Sequence, residues 1–274
     1  RALEIDRSAL SKGGNFSLIF WCASMPSFPR TRLRRNRAST FIRSLVAENR
    51  VSAADLILPV FVTDASTSSE VASMPGTFRN SQDDALRLAE RAVSLGVPAL
   101  ALFPEVDPAL KPPDCSESWR EDNLVNRTVR ALKSAFPDLG IITDVAFDPY
   151  NPKGHDGYLV DGVIVNDETV TALVRQALSL ADAGADIVAP SDMMDGRVGA
   201  IRDGLDAADC KNVGIMSYAV KYASAYYGPF RDAIGSSGAL KGDKKTYQMD
   251  TANASEGLRE VEMDLEEGAD SVMV

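Results

Sequence analysis

Histidine and cysteine are scarce in this chain, and their scarcity excludes several kinds of site. A single histidine, His155, rules out a metal site built from several imidazoles. The three cysteines, Cys22, Cys115 and Cys210, are far apart and odd in number, so they have neither the spacing of a zinc site nor the pairing of a disulfide framework. Free thiols of this kind indicate a reducing compartment.

Long apolar runs and an excess of basic residues are also missing. No apolar stretch approaches the roughly 18 residues that identify a membrane-spanning helix. The formal net charge of −10 argues against general nucleic-acid binding, which needs a basic surface. No Gly-x-Gly-x-x-Gly sequence follows a predicted strand, which counts against a dinucleotide-binding fold. The 274 residues, 45% hydrophobic and 25% charged, are typical of a globular protein.

Predicted helices and buried strands alternate from Ser39 onward. The predicted strands are 56–62, 98–103, 140–147, 186–191, 213–220, 246–249 and 269–274. The predicted helices between them include 83–95, 123–136, 167–184, 195–208 and 256–267, with Asp167 as a helix cap. Such alternation builds a parallel sheet covered by helices. About seven units at this spacing favour an α/β TIM (β/α)₈ barrel over a doubly wound sheet.

This interpretation divides the chain into three parts. Residues 1–29 form an extension, either a targeting segment or a non-native one, because residues 1–24 show no clear period. Residues 30–52 form an arginine-rich N-terminal arm, for which docking on an acidic neighbouring subunit is favoured over an RNA contact or a targeting signal. Residues 53–274 form the barrel, and we expect its last βα unit to be missing from this chain.

The stretch 213–224 holds the side chain best suited to covalent catalysis. Its apolar beginning is typical of a strand buried in a parallel sheet. The stretch continues into Lys221, which has tyrosines nearby at positions 218, 222, 226 and 227. Poor solvation at such a strand end disfavours the ammonium form, so a neutral amine could attack a carbonyl group. The alternative is a lysine that reaches the surface with its stem packed on the tyrosines.

Acidic residues follow the third predicted strand, at the edge where a barrel carries its active site. Asp144 and Asp148 are four residues apart and would point to one face of a regular strand, and Asp156 follows beside His155. Three carboxylates favour a hard cation such as Mg²⁺, or one acid with a raised pKa for proton transfer. The alternative is that these are turn-forming and helix-capping aspartates.

A basic loop comes after Lys221. Its polar side chains include Arg231, Lys241, Lys244, Lys245 and Gln248. Arginine, lysine and glutamine over a cleft suit a carboxylate substrate, because charge-assisted hydrogen bonds pair with each oxygen. The alternative is a basic loop in contact with solvent.

Eight stretches of the chain resemble, in sequence and in order, the 5-aminolevulinate dehydratase family, also called porphobilinogen synthases. They are 34–37, 74–76, 143–150, 154–157, 166–169, 189–197, 217–231 and 246–249. The resemblance runs from about residue 30 to the last residue. It implies a lyase that condenses two 5-aminolevulinate molecules to porphobilinogen with loss of two waters, through lysine Schiff bases, in heme and chlorophyll biosynthesis.

The resemblance also assigns roles to individual positions. Lys221 matches the lysine that holds the A-site substrate. The implied substrate-binding residues are Ser191, Arg231, Lys244 and Gln248. A one-residue shift in alignment would exchange Lys244 with Lys245. Asp144, Asp148 and Asp156 would assist proton transfers, through a bound cation or water. Another imine-forming barrel, such as a class I aldolase, would explain the lysine but not the aspartates or the basic loop.

The metal and the assembly follow from the same resemblance. Asp144, Asp148 and Asp156 fall where zinc-type members carry cysteines, and thiolates select zinc whereas carboxylates do not. A magnesium- or potassium-responsive enzyme is therefore implied, with zinc disfavoured. Glu260 matches an allosteric Mg²⁺ ligand near a subunit interface. The arginine-rich segment matches the arm that wraps a neighbouring subunit in family octamers, and neither a nucleic acid nor a membrane is expected as a partner.

The end of the chain departs from the family pattern. The family's second Schiff-base lysine directly follows a Val-Met-Val run, which here forms residues 272–274. We therefore expect a chain truncated at its C-terminus and inactive by itself, and the alternative function is an inactive fragment or degenerate copy. A plastid would suit an N-terminal extension, and a bacterial cytoplasm would suit a start at Met25.

Overall fold

The computed structural model describes residues 27–236, 238–240 and 242–274. The chain forms two compact units, the first ending at Arg50 and the second spanning Val51–Val274. In the first unit, a 3₁₀ turn at Leu33–Arg37 precedes helix α1, Thr40–Leu45, and no residue of either is buried. Residues 1–26, most of the predicted extension, lie outside the described residues, as does Lys241.

The second unit is built around a mostly parallel sheet. Its described strands are β1 Ile57–Thr63, β2 Ser69–Glu70, β3 Phe78–Asn80, β4 Ala99–Glu105, β5 Gly140–Val145, β6 Tyr158–Val160, β7 Val163–Val165, β8 Ile187–Pro190, β9 Gly214–Ser217 and β10 Ser271–Val272. Six of them, β1, β4, β5, β8, β9 and β10, lie side by side and parallel in the order of the chain. A doubly wound sheet would reverse this order at a switch point, so the arrangement is of the TIM-barrel type.

Two short hairpins accompany the parallel strands. β3 pairs in parallel with β1 and antiparallel with β2, which extends the sheet beyond β1. β6 and β7 form a separate antiparallel hairpin whose turn, Asp161–Gly162, has positive φ at both residues. Within the described residues, no ladder joins β10 to the opposite edge of the sheet.

Helices connect and cover the strands. They are α2 Gln82–Ser94, α3 Leu124–Ala135, α4 Asn166–Asp182, α5 Arg197–Ala207, α6 Tyr227–Ala233 and α7 Ala254–Glu266. Helix α2 illustrates why they form, because the Ser81 side chain caps its N-terminus by accepting a hydrogen bond from the Asp84 amide. Its alanines at 85, 89 and 92 make a stripe at helical spacing that is buried against the sheet. Gly96, with φ of +79°, then allows the chain to leave the helix.

The main core lies between the strands and these helices. Val60, Leu100, Leu102, Ile141 and Ile215 contribute from the strands and are at most 1% exposed. Because these apolar strands are covered by helices, the polar ends of the strands are the part of the sheet left for chemistry. Among the described residues, no helix has both the length and the apolar character that crossing a bilayer requires.

Two local predictions are wrong. Residues 246–249 do not form a strand but a turn, joined to the chain after β9 by a single bridge between Met249 and Tyr222. β10 therefore pairs directly with β9, through Ser271 opposite Met216, and the described parallel series has six strands instead of seven. Asp167 is not the cap of α4 either, since it lies in the first turn, where its charge favours the helix N-terminus.

Candidate active site

Polar side chains meet at the carboxyl ends of β5, β8 and β9. Asp144 is in β5, Ser191 follows β8 directly, and Lys221 comes four residues after β9. Hydrogen bonds beyond the strands keep these ends together, because the Ser191 amide donates to the Val145 carbonyl and the Tyr218 amide donates to the Pro190 carbonyl. A cavity of about 640 Å³ opens here, and Asp144, Ser191 and Lys221 line it.

The Lys221 side chain is buried and points into this cavity. It is 5% exposed, so the alternative of a lysine reaching the surface is wrong. Its Nζ donates a hydrogen bond of 2.6 Å to the Ser191 carbonyl and lies 3.6 Å from Asp156 Oδ1. The Tyr227 ring, whose centroid is 5.5 Å from Nζ, covers the amine. The amine is thereby held in one orientation, with few water molecules able to reach it.

Lys244 lies between two of the predicted aspartates. Its Nζ is 3.2 Å from Asp148 Oδ2 and 2.9 Å from Asp156 Oδ2, and all three residues are buried. The neighbouring Lys245 is exposed and pairs with Asp243. The structure therefore favours Lys244 over Lys245 as the lysine that faces the site.

The charges of this cluster shift its pKa values in different directions. Burial would lower the pKa of Lys244, but Asp148 and Asp156 outweigh it and raise that pKa. Burial raises the pKa of Asp148 and is only partly opposed by Lys244. Burial also acts on Asp156, but there Lys221 and Lys244 together prevail and lower the pKa. Asp156 is thus the ionised partner of both lysines.

Asp144 differs from the other two aspartates, because no lysine of the described residues is in direct contact with it. Burial, followed by the charge of Asp148, raises the pKa of Asp144 to about 7. Its Oδ1 is buried and has no hydrogen-bond partner among the described residues. A carboxyl group with this pKa can both take up and release a proton at neutral pH, as general acid–base catalysis requires.

A tyrosine that the sequence did not single out supports the aspartate loop. The Tyr247 hydroxyl lies 3.1 Å from His155 Nδ1 and accepts a long hydrogen bond of 3.4 Å from the Asp156 amide. Tyr247 could have been identified from its position, because it lies between Lys244 and Gln248 and within the family stretch 246–249. Tyr247 and His155 together fix the loop that presents Asp156.

Helix α6 forms another wall of the cavity. Its Phe230 ring packs on Phe61 and Phe103, with ring centroids 5.8 Å and 5.1 Å apart. Arg231 follows and is half-buried, with no ion-pair or side-chain hydrogen-bond partner among the described residues. Gln248 is buried but does not line this cavity, because it faces a second one of about 560 Å³ that Glu260 also lines.

Two of the three aspartates, Asp148 and Asp156, are paired with Lys244 in this arrangement. Among the described residues, no group of three or more histidine, cysteine, aspartate or glutamate side chains is placed to hold a metal ion. The Lys244 ammonium already occupies the space between Asp148 and Asp156. Glu260, on α7, is half-buried, and burial together with nearby Asp264 raises its pKa against the effect of Arg197. A negative environment of this kind suits a hydrated Mg²⁺, which often binds through one or two carboxylates.

A buried arginine network lies beneath the site and was missed from the sequence. Arg197, 2% exposed, has its guanidinium 3.2 Å from Asp264 Oδ1 and 3.7 Å from Asp192 Oδ2, and it donates to Ser217 Oγ at 3.1 Å. Burial raises the pKa of Asp192 to about 6, against the charge of Arg197. The network connects α5, α7 and the end of β9. Asp192 also follows Ser191, so it stabilises the turn whose carbonyl binds Lys221.

Comparisons with known proteins identify the family of this chain. The family model described as Delta-aminolevulinic acid dehydratase matches residues 30–274. The Bradyrhizobium diazoefficiens protein of that name is 58% identical over 244 residues, covering 89% of this chain and 69% of that protein, and the Rhodobacter capsulatus protein is 54% identical over 250 residues, covering 91% and 75%.

A solved structure extends the likeness to the fold. The crystal structure of delta-aminolevulinic acid dehydratase (porphobilinogen synthase) from Toxoplasma gondii ME49, in complex with the reaction product porphobilinogen, superposes with a TM-score of 0.87 at 51% identity. The match covers 89% of this chain and 70% of that chain. By its matched residues, its identity to these relatives and its fold, the chain belongs to the delta-aminolevulinic acid dehydratase family.

Proposed function

We propose that this chain uses Lys221 as a Schiff-base nucleophile in the porphobilinogen synthase reaction of its family, a lyase activity of tetrapyrrole biosynthesis. Family membership and the likeness to a product-bound porphobilinogen synthase support the reaction. The observation that carries the residue assignment is the buried Lys221 amine, which lines a cavity beside two carboxyl groups of different pKa.

The first steps follow from this geometry. The Lys221 amine attacks the keto carbon of one 5-aminolevulinate, and loss of one water gives an imine. The imine withdraws electrons, so a proton can leave the neighbouring carbon to a base, for which Asp144 has a suitable pKa of about 7. The resulting enamine carbon attacks the keto carbon of the second 5-aminolevulinate. The amino group of the second 5-aminolevulinate then attacks the imine carbon and displaces the Lys221 amine. Loss of the second water from the former keto carbon, with transfer of a ring proton to the ring nitrogen, gives porphobilinogen.

The substrate carboxylates need cationic partners. Arg231 can supply one, because its guanidinium has no partner among the described residues. Lys244 can supply another if a substrate carboxylate competes with Asp148 and Asp156 for its ammonium. Ser191 would contribute a polar contact in the Lys221 cavity, and Gln248 would contribute one from the second cavity, which it lines.

Mg²⁺, with K⁺ as the other candidate, is proposed as the activating cation, and Glu260 as its ligand. Carboxylate oxygens suit these hard cations, and no thiolate is available among the site residues for zinc. The ion would act away from Lys221 by stabilising the segment around α7. Asp148 and Asp156 are not proposed as ligands of this ion, because the Lys244 ammonium lies between them.

We also propose a homo-oligomer, an octamer by analogy with the family. The exposed arginines at the 3₁₀ turn Leu33–Arg37 support docking on an acidic neighbouring copy of a protein whose net charge is −10. The compartment would be the plastid stroma in a photosynthetic eukaryote and the cytoplasm in a bacterium. Light scattering of the full-length protein, before and after replacement of these arginines, tests the assembly.

The reaction is tested by measuring porphobilinogen formation in the full-length protein and its variants. Lys221→Met should abolish turnover, because the amine that forms the proposed imine is lost. Lys211→Met is the matched control, since Lys211 is exposed and pairs with Asp209. Full activity of the Lys221 variant would refute the proposed role.

A further inference from the structure

Two walls of the Lys221 cavity come from distant parts of the chain. The hairpin of β2 and β3 contributes Met74, Thr77 and Phe78, and α6 contributes Tyr227 and Phe230. Side chains of both walls pack in a small cluster that is separate from the main core and contains Phe61, Phe103, Ala233 and Ile234. The width of the cavity therefore depends on how α6 is attached to the hairpin.

Arg79 makes the polar part of this attachment. It lies in β3, where it is paired with Phe61 of β1, and its side chain is 14% exposed. Its Nη2 donates 2.6 Å to the Asp232 carbonyl and its Nε donates 2.8 Å to the Ala233 carbonyl, across more than 150 residues of sequence. The Glu105 carboxylate lies 3.0 Å from the same Nε, and the Asp232 carboxylate lies 3.7 Å from Nη2, so both also pair with the guanidinium.

The two carbonyls are the last ones of α6, and this is where a helix most needs partners. The final carbonyls of a helix lack the amide partners of a following turn, and the partial negative charge there attracts a cation. The Gly235 amide reaches the Asp232 carbonyl at 3.0 Å, whereas the Ala233 carbonyl is bound by Arg79. Arg79 meets both needs with a planar guanidinium that can bind two carbonyls at once. Ser73 adds a smaller contact by donating 2.5 Å to Asp232 Oδ2.

A helix as short as α6, with seven residues, needs such support. Isolated helices of this length are unstable in water, and only its last residue, Ala233, is fully buried. Its N-terminal end carries Tyr227, which covers the Lys221 amine, and its middle carries Phe230 and Arg231. Fixing the C-terminal end therefore fixes Tyr227 and Phe230, the side chains of α6 that line the Lys221 cavity.

We infer that Arg79 is a positioning residue of the active site, which holds α6 over the Lys221 cavity by binding its last two carbonyls. The inference rests on the proposed function of Lys221. Loss of Arg79 should leave the Lys221 amine in place but lower the population of the arrangement in which α6 covers it. The loss should therefore weaken substrate binding and leave the reactivity of the Lys221 amine unchanged.

The test follows imine formation and local opening together. Wild type, Arg79→Gln and Arg79→Lys are incubated with increasing 5-aminolevulinate, reduced with borohydride, and assayed for adduct on Lys221. Arg87→Gln is the matched control, because Arg87 is exposed and pairs with Asp84 on α2. Amide hydrogen exchange is measured on the same proteins without substrate.

For Arg79→Gln we expect the half-saturating 5-aminolevulinate concentration to rise about tenfold, the effect of weakening the covered state by about 1.4 kcal/mol. The maximal adduct yield should stay the same, and exchange should speed up in 226–236 but not in α3 or α4. For Arg79→Lys the half-saturating concentration should lie between those of wild type and Arg79→Gln, because lysine keeps the charge but cannot bind both carbonyls at once. Arg87→Gln should match wild type.

Either of two results would overturn the inference. One is a trapping curve for Arg79→Gln that coincides with that of Arg87→Gln. The other is exchange that rises equally in α3, α4 and α6, which would make Arg79 a general stabiliser of the fold. A wild-type protein that forms no adduct would instead refute the proposed function, and the exchange pattern would still decide whether Arg79 holds α6.

Discussion

Replacing Lys244 by methionine tests the charge balance of the site most severely. The substitution keeps an unbranched side chain but removes the ammonium that lies 3.2 Å from Asp148 and 2.9 Å from Asp156. Both carboxyl groups stay buried, and the nearest remaining cation in the described part of the chain is Lys221, 3.6 Å from Asp156. Breaking a buried ion pair by removing one partner typically costs about 3–5 kcal/mol, so we expect Lys244→Met to lower the free energy of unfolding by that amount at pH 8.

The stability lost in Lys244→Met should decrease as the pH falls. The wild-type fold lowers the pKa of Asp156, so this group contributes stability above its unfolded pKa of about 3.9, which is lost as the pH falls through the lower folded value. Without Lys244, burial is less opposed and the folded pKa values of Asp148 and Asp156 rise. The variant then lacks stability at every pH where the unfolded carboxyls are ionised. Its deficit should be largest at pH 8 and shrink toward pH 4.

The assay is urea unfolding followed by circular dichroism at pH 8 and pH 5, with Lys245→Met as the control. Lys245 is exposed and its pairing with Asp243 is a surface contact, so that variant should differ from wild type by about 0–1 kcal/mol. The reasoning is refuted if Lys244→Met is no less stable than Lys245→Met at pH 8. A deficit that is identical at both pH values would refute the pH argument alone.

Three other changes probe the remaining groups. Asp144→Asn should remove the limb of the pH–rate profile near pH 7, and an unchanged limb would assign that limb to another group. The same variant should be more stable than wild type at pH 8 but not at pH 4, because burial raises the pKa of Asp144 and makes its ionised form unfavourable in the fold. Arg197→Met should lower the free energy of unfolding by about 3–5 kcal/mol, because it leaves the buried carboxylates unpaired. The control is Arg259→Met at an exposed position, which should lower it by about 0.5 kcal/mol or less. Equal losses for the two variants in chemical denaturation would contradict the role of the buried network. Glu260→Gln should abolish activation by Mg²⁺ while leaving imine trapping on Lys221 intact, and a Mg²⁺ titration that stays unchanged would exclude Glu260 as the ligand.

The sequence predicts the parallel strands well because they are buried on both faces. The predicted strand 98–103 corresponds to β4, Ala99–Glu105. The predicted strand 186–191 corresponds to β8, Ile187–Pro190. Residues 246–249 resemble such a strand in composition, but their apolar side chains Tyr247 and Met249 pack beside Val220 at the loop after β9. Composition alone cannot distinguish these two forms of burial.

The hairpin of β6 and β7 was missed although a local signal was present. The sequence Val-Asp-Gly-Val places Asp161 and Gly162 between two apolar pairs, which is the pattern of a two-residue hairpin turn. The positive φ values at both residues, 49° and 85°, agree with that pattern. The hairpin was missed because the predicted strands and helices were identified from longer runs of residues.

The site could be predicted in part because the ends of parallel strands meet at one edge. This rule brings Asp144, Ser191 and Lys221 together without knowledge of any loop. The position of Lys244 between Asp148 and Asp156, and the binding of α6 by Arg79, could not be predicted. Both contacts depend on the path of the irregular segment after Lys221, for which the sequence carries no periodic signal.

Locating the borohydride-reduced 5-aminolevulinate adduct by peptide mass mapping tests the central claim most directly. We predict an adduct on Lys221 in the wild type that disappears in Lys221→Met and persists in Lys211→Met. An adduct on Lys244 instead, or no adduct on Lys221 at saturating substrate, would contradict the assignment of Lys221 as the nucleophile.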